Sequence, residues 1–154
     1  MDVTDVAEQG DGTWELTNHT WPADPAYFDG RFSDGKVWPE YLAASLGVPL
    51  LDYAHGGATI DNSIVAGYTG PNSDILVPAV KDQVSGFLHG RAKSIQERVK
   101  EKTAVAIVAG INDAFFAGNV SVRALTDRLV SQVDLLARKG IFHCNETLLR
   151  HREG

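Results

Sequence analysis

Hydrophobic and polar positions fall into two textures along this chain. Residues 1–35 are dense in Asp, Gly, Thr, Asn and Pro, with Trp14, Trp21, Tyr27 and Phe28 spaced among them. Turn-forming residues dominate there, which predicts a long structured loop packed by its aromatics. A loop of that length inside a domain is commonly functional. Beyond it, helical and extended patterns alternate. From Val37 to Leu46 the apolar positions Trp38, Tyr41, Leu42 and Leu46 recur at helical spacing. Pro39 falls in the first turn, and Gly47 followed by Pro49 closes the segment. Val48 to Ala54 is a short apolar run suited to a buried strand, and it leads into the glycine-rich turn His55-Gly56-Gly57-Ala58-Thr59. Residues 66–77 are expected to be loop.

Helical periodicity returns over 78–101, with Val80, Val84, Phe87 and Leu88 on one face and Gly86 and Gly90 weakening it. Thr103 to Ala109 is apolar throughout, as a parallel strand buried on both faces is. It ends abruptly in the polar turn Gly110-Ile111-Asn112-Asp113. Residues 121–138 carry the clearest helix, with Leu125, Leu129, Val133 and Leu136 inward and Ser121 as N-cap. Gly140 ends it, and Ile141-Phe142 is placed to begin a third strand. Helices alternating with strands imply an α/β fold on a parallel sheet. In such sheets ligands bind beyond the carboxyl ends of the strands, where both glycine turns lie.

With 154 residues the chain fits one domain, 1–154, and can bury about 68–70% of its unfolded surface. Fourteen basic against 20 acidic residues leave a charge of −6, which disfavours nucleic-acid phosphates and anionic membranes as partners. No stretch approaches the ~18 apolar residues of a spanning helix. The acidic start MDVTDVAEQGDG shows no signal peptide, and sequons at Asn18, Asn119 and Asn145 raise a secretory reading only slightly. Cys144 stands alone, so no internal disulfide forms. His143, Cys144 and His151 lack a four-ligand spacing, so neither metal nor cofactor is expected.

Two readings of the glycine turns stand open. Gly and Asn are the usual residues wherever a turn needs a positive φ. They are also what oxyanion stabilisation needs: a rigid glycine N–H and an Asn amide that cannot ionise. Two such donors at adjacent strand ends would serve acyl transfer.

The segments FDGRFSDGKVWPEYLAASLGVPLLDYAHGGATIDNS (28–63) and AIVAGINDAFFAGNVS (106–121) resemble the GDSL-type, or SGNH, ester hydrolases, above all fungal secreted acetylesterase-like members. The likeness runs from about Gly12 to Gly140. It implies a three-layer α/β/α, flavodoxin-like fold with a parallel sheet, cut short at both ends relative to family members. It also implies a small-molecule or carbohydrate ester as substrate, in relatives that are commonly secreted. The family's oxyanion Gly falls on Gly57 and its Asn on Asn112. A nucleophilic Ser within a Gly-Asp-Ser block and a His within a late Asp-x-x-His block complete that site, and neither block is matched here. MDVTDV resembles only the trailing edge of the first, and the tail from 141 onward, ending FHCNETLLRHREG, diverges. The expectation is therefore a truncated hydrolase without nucleophile or base, or alternatively a non-catalytic glycan- or acyl-binding module.

Other candidates receive structural roles. Ser33, Ser45 and Ser63 are expected to be structural. Asp52-Tyr53-Ala54-His55 has the Asp-x-x-His form, but positions i and i+3 of a strand face opposite ways. His19 and His89 are expected in solvent or packing roles. Arg31 is expected to pair with a neighbouring Asp, Trp38 and Tyr41 to pack a helix on the sheet, and Phe115 and Phe116 to lie in the core.

Overall fold

The computed structural model describes residues 12–89, 104–117 and 119–141. Five helices and one small sheet order these as α1 (Gly12–Leu16), α2 (Trp38–Leu46), β1 (Tyr68–Thr69), β2 (Ile75–Leu76), α3 (Val80–His89), α4 (Ile111–Phe116) and α5 (Val122–Arg138).

The helix ends follow local chemistry. At the start of α2, Glu40 accepts the Val37 N–H at 2.8 Å. Val37 has no side-chain oxygen to return the bond, so only half of a capping box forms. Gly47 then turns left-handed (φ 63°), with Gly47 N donating to Ala44 O and Val48 N to Ala43 O. This is the Schellman closure that a glycine permits without steric cost. α5 ends the same way: Gly140 (φ 73°) donates to Ala137 O, and Ile141 N to Leu136 O. Ile141 and Leu136 meet in the core, the apolar contact that accompanies this motif. At the other end of α5, Ser121 caps by accepting from Ala124 N.

The core lies between α3 and α5. Val80, Val84, Leu136 and Ile141 are buried together, with Phe87, Leu88, Leu129, Ile107 and Ala109 against them. The helical faces expected over 78–89 and 121–138 are those that pack, and α3 runs unbroken through Gly86. Residues 90–103, where the rest of that predicted helix falls, lie outside the described residues, as do Phe142, His143, Cys144 and His151.

Several expectations need correction. The stretch 1–35 is not all loop, since Gly12–Leu16 within it forms α1. The segments 48–54 and 104–109 run without strand pairing, and the sheet among the described residues is the antiparallel pair Tyr68↔Leu76 and Thr69↔Ile75, inside the stretch expected as loop. An apolar run encodes extension and burial but not its hydrogen-bond partner, whereas Gly70 (φ 90°) closes a local hairpin directly. Within 104–109 burial is also one-sided: Ile107 and Ala109 face the core while Val108 is 77% exposed. The polar turn at 110–113 is the start of a helix, α4, with Gly110 (φ 108°) at its N-cap. Trp38 and Tyr41 are exposed, at 54% and 62%, because α2 turns Glu40 and Ala43 inward. Phe115 is 80% exposed, outside any core.

The long loop is held by polar contacts more than by apolar burial. Arg31 pairs with Asp29 as expected, through its backbone carbonyl (2.7 Å) and its carboxylate (3.3 Å). Its stronger partner is Glu40, which receives Nε at 2.8 Å and Nη2 at 2.9 Å in a bidentate fork. That hydrogen bonding raises the Arg31 pKa and holds Glu40 below the usual carboxylate range, against the opposing push of burial.

Candidate active site

The loop 55–61 is the centre of the site, and it is fixed from several sides. Gly56 and Gly57 are glycines for two different reasons. A Cβ on Gly56 would overlap the Phe32 ring, and one on Gly57 (φ 87°) would overlap the backbone carbonyl of Tyr68. Gly67 in turn packs against the Gly57 carbonyl. From the other side, Thr13 Oγ1 accepts the Gly56 N–H at 2.8 Å.

α4 holds the loop by two consecutive side chains. Asn112 Nδ2 donates to Ala58 O at 2.8 Å. Asp113, completely buried, accepts the Ile60 N–H at 3.1 and 3.2 Å with its two oxygens. The carbonyls of Thr59 and Ile60 then accept from Val80 N and Lys81 N in the first turn of α3, at 2.9 and 3.2 Å. These are N–H groups that a helix start leaves without intrahelical partners. Thr59 Oγ1 donates to Val65 O at 2.6 Å, and Asn62 ties Gly67 N to Val77 O. Every backbone unit from Ala58 to Ile60 is thus bonded to α3 or α4.

Asp61 closes the loop electrostatically. Its Oδ1 accepts from Ser63 N and Oγ, while Lys81 Nζ and Arg128 Nε each stand 3.4 Å from Oδ2. Burial pushes this carboxyl up, but the Ser63 hydrogen bonds and Lys81 outweigh it and bring it below the usual range. Glu40 and Asp61 therefore contribute stability that is fully present above their unfolded pKa of about 4 and is lost as pH falls through their lower folded values. The urea midpoint should stay level from pH 7 to about 5 and fall progressively below pH ~4. Glu40→Gln and Asp61→Asn should flatten that acid limb, and an unchanged limb in both variants would refute the assignment.

Beside the loop lies an open cavity of about 480 Å³, whose wall includes Trp21, Phe32, His55, Gly57, Tyr68 and Ser73. Gly57 lines it, and no hydrogen bond from its N–H to another described residue is present. Asn112 is not part of the wall, but it is bonded to the residue that follows Gly57. Phe116, from the same short helix, stacks edge-on with Tyr68 at 6.0 Å and so backs the wall. The structure thus brings Gly57 and Asn112 together across 55 residues of sequence, on a loop and a helix bonded to each other.

The other candidates divide cleanly. Asp52 accepts from Ala54 N, and His55 Nδ1 bonds to Tyr53 O, so the two do not pair. Ser33 and Ser63 spend their side chains on Gly35 N and Asp61, and Ser45 is exposed on α2. His19 bonds Glu15, and His89 bonds the Ser85 carbonyl. Asp113, Thr59, Asn62 and Asp61 went unnoticed in the sequence. Only adjacency to Asn112 and to the glycine turn marked them.

Asp113 yields a direct test. Asp113→Ala leaves the Ile60 N–H buried without an acceptor and should destabilise by about 1–3 kcal/mol in urea denaturation. Asp113→Asn keeps an oxygen there and should recover most of that loss. Equal losses in the two variants would show that the acceptor is not what matters.

A sequence profile of the GDSL-like lipase/acylhydrolases matches residues 7–148. The chain belongs to this family. Among individual relatives of this GDSL-like chain, the thermolabile hemolysin of Vibrio parahaemolyticus is 33% identical over 93 residues, 60% of this chain and 20% of the hemolysin. The acetylesterase of Hypocrea jecorina is 32% identical over 90 residues, 58% of this chain and 26% of the esterase. The secreted effector protein SseJ of Salmonella typhimurium is 42% identical over 48 residues, 30% of this chain and 12% of the effector. The matched stretch thus spans between 12% and 26% of each of these relatives. No solved structure gives a significant match. Membership implies the α/β fold of the SGNH hydrolases. Among the described residues no helix is long and apolar enough to cross a membrane.

Proposed function

We propose that residues 1–154 carry the oxyanion side of a carboxylic-ester hydrolase site, with Gly57 N–H and the Asn112 amide as its donors. The observation that supports this best is the bond from Asn112 to Ala58, the residue that follows Gly57. An amide NH₂ has two hydrogens, so the bond to Ala58 leaves one for a substrate oxygen. Donors so fixed need no reorganisation as charge develops on an ester carbonyl. The substrate class is an acetyl or short acyl ester of a small molecule or carbohydrate. In this reading 48–54 and 104–109 are strands of the family's three-layer parallel arrangement that lack ladder partners here.

No nucleophile or general base is assigned within these residues. Ser73 and His55 both line the cavity, but no hydrogen bond joins them, and His55 is committed to Tyr53 O. That observation favours a second reading, a module on the same fold that binds glycan or acyl ligands without hydrolysing them.

Hydrolysis of p-nitrophenyl acetate by this chain, measured beside ester binding by calorimetry, separates the readings. Ester binding with turnover near background is expected, since a site without its triad retains only the modest catalysis of binding and an oxyanion hole. Robust turnover blocked by a serine-reactive phosphonate would place a nucleophile within these residues. Glycan binding without ester binding would favour the second reading.

A further inference from the structure

The wall of the cavity beside Gly57 carries information about what it holds. Three of its side chains are aromatic, Trp21, Phe32 and Tyr68, and its polar side chains are His55, Thr69 and Ser73. Among the described residues no carboxylate, ammonium or guanidinium group lines it. An anionic group entering it would give up water and meet aromatic faces and no ammonium or guanidinium among those residues, a heavy cost in a partly apolar site.

The aromatic wall is built before any ligand arrives. Trp21 meets Phe32 edge-on at 6.4 Å and Tyr27 at 6.0 Å, and Tyr27 meets Phe32 at 5.6 Å. These T-shaped contacts suit the ring quadrupoles and fix the relative tilt of the rings. Thr17 Oγ1 accepts from Trp21 N at 3.1 Å and lies 2.9 Å from Trp21 O, which pins that residue's backbone. Phe32 lies against Gly56, where any side chain would displace it. The polar side is set as well. A carbonyl only accepts, so His55 Nδ1 carries the proton toward Tyr53 O at 3.0 Å. A volume of about 480 Å³ is that of a small-molecule pocket.

We infer that this cavity selects a ring-bearing group of the ester without negative charge, held between Trp21 and Phe32, with Gly57 facing the acyl carbonyl. The inference rests on the ester reading of Gly57 and Asn112. An aromatic ring and a pyranose ring share the needed chemistry, a flat apolar face with an uncharged rim. Anionic alcohols are excluded.

The test is a titration of the full chain with four probes: phenyl acetate, an acetylated methyl pyranoside, butyl acetate and the anionic ester acetoxyacetate. At least one ring ester should bind tenfold or more tighter than butyl acetate, and acetoxyacetate should be weakest. The better of the two ring esters identifies the ring. Trp21→Leu should remove that tenfold preference by weakening the ring esters far more than butyl acetate. Should Trp21→Leu not fold, as judged by circular dichroism, Phe32→Leu carries the same expectation at a more exposed position. Equal affinity for ring, linear and charged esters, or no binding of any probe, overturns the inference. Phenol or the methyl pyranoside binding as tightly as its acetate would leave the ring pocket standing and remove the ester reading.

Discussion

Gly57→Ala should destabilise the protein by about 2–5 kcal/mol, from a left-handed backbone cost of about 1–2 and an overpacking cost of about 1–3. Gly57 sits at φ 87°, a conformation that an L side chain adopts only under strain. The atom in the way of the new Cβ is the backbone carbonyl of Tyr68, not the end of a flexible side chain. Relief would require β1 to move, and with it the pairing to β2 and the Tyr68–Phe116 contact. Retreat of residue 57 itself is blocked, because Gly67 packs against its carbonyl. Gly86→Ala is the matched control. Nothing lies within 4 Å of its would-be Cβ in the middle of α3, so alanine there should stabilise by about 0.5–1 kcal/mol. Thermal and urea melts of the pair give the comparison. A Gly57→Ala protein as stable as the parent would mean the loop is looser than its contacts imply, and the oxyanion reading would lose its fixed donor.

How much of this was legible in the sequence depends on whether a feature is written locally. The helices α2 and α5 and their glycine ends were readable because caps, periodicity and a left-handed glycine act within a few residues. The pairing of 48–54 and 104–109 was not, because a strand's partner is a tertiary fact. α4 was read as a turn for a related reason. Gly-Ile-Asn-Asp is good turn chemistry, yet Gly110 as N-cap and an acidic first turn start a short helix equally well. Gly57 and Asn112 were picked by motif, but nothing in their spacing told that Asn112 would bond Ala58, or that Asp113 would be buried beneath Ile60. A buried carboxylate looks like any surface one until its acceptor geometry is seen.

Arg31 shows the same gap most strongly, and Arg31→Ala should cost about 3–5 kcal/mol, the scale for leaving a buried charge unpaired. The sequence suggested a loop ion pair with an aspartate, an interaction worth about 0–1 kcal/mol at a surface. The structure places Arg31 at 5% exposure with both Glu40 oxygens on its guanidinium, so truncation strands the Glu40 carboxylate inside the protein. Arg31→Lys should recover only part of the loss, because an ammonium cannot reproduce the planar fork. Arg31→Met with Glu40→Leu removes both charges and should be far less harmful than either single change, as a double-mutant cycle would show. Additive losses would mean that the pair is not coupled. The consequence reaches the cavity, since Phe32 follows Arg31 directly and forms part of its wall. The fork anchors this stretch of loop to α2, so Arg31→Lys should also weaken the preference for ring-bearing esters while leaving the Asn112 contact to Ala58 in place. If ring preference survives in a folded Arg31→Lys protein, the Trp21–Tyr27–Phe32 cluster holds the wall unaided.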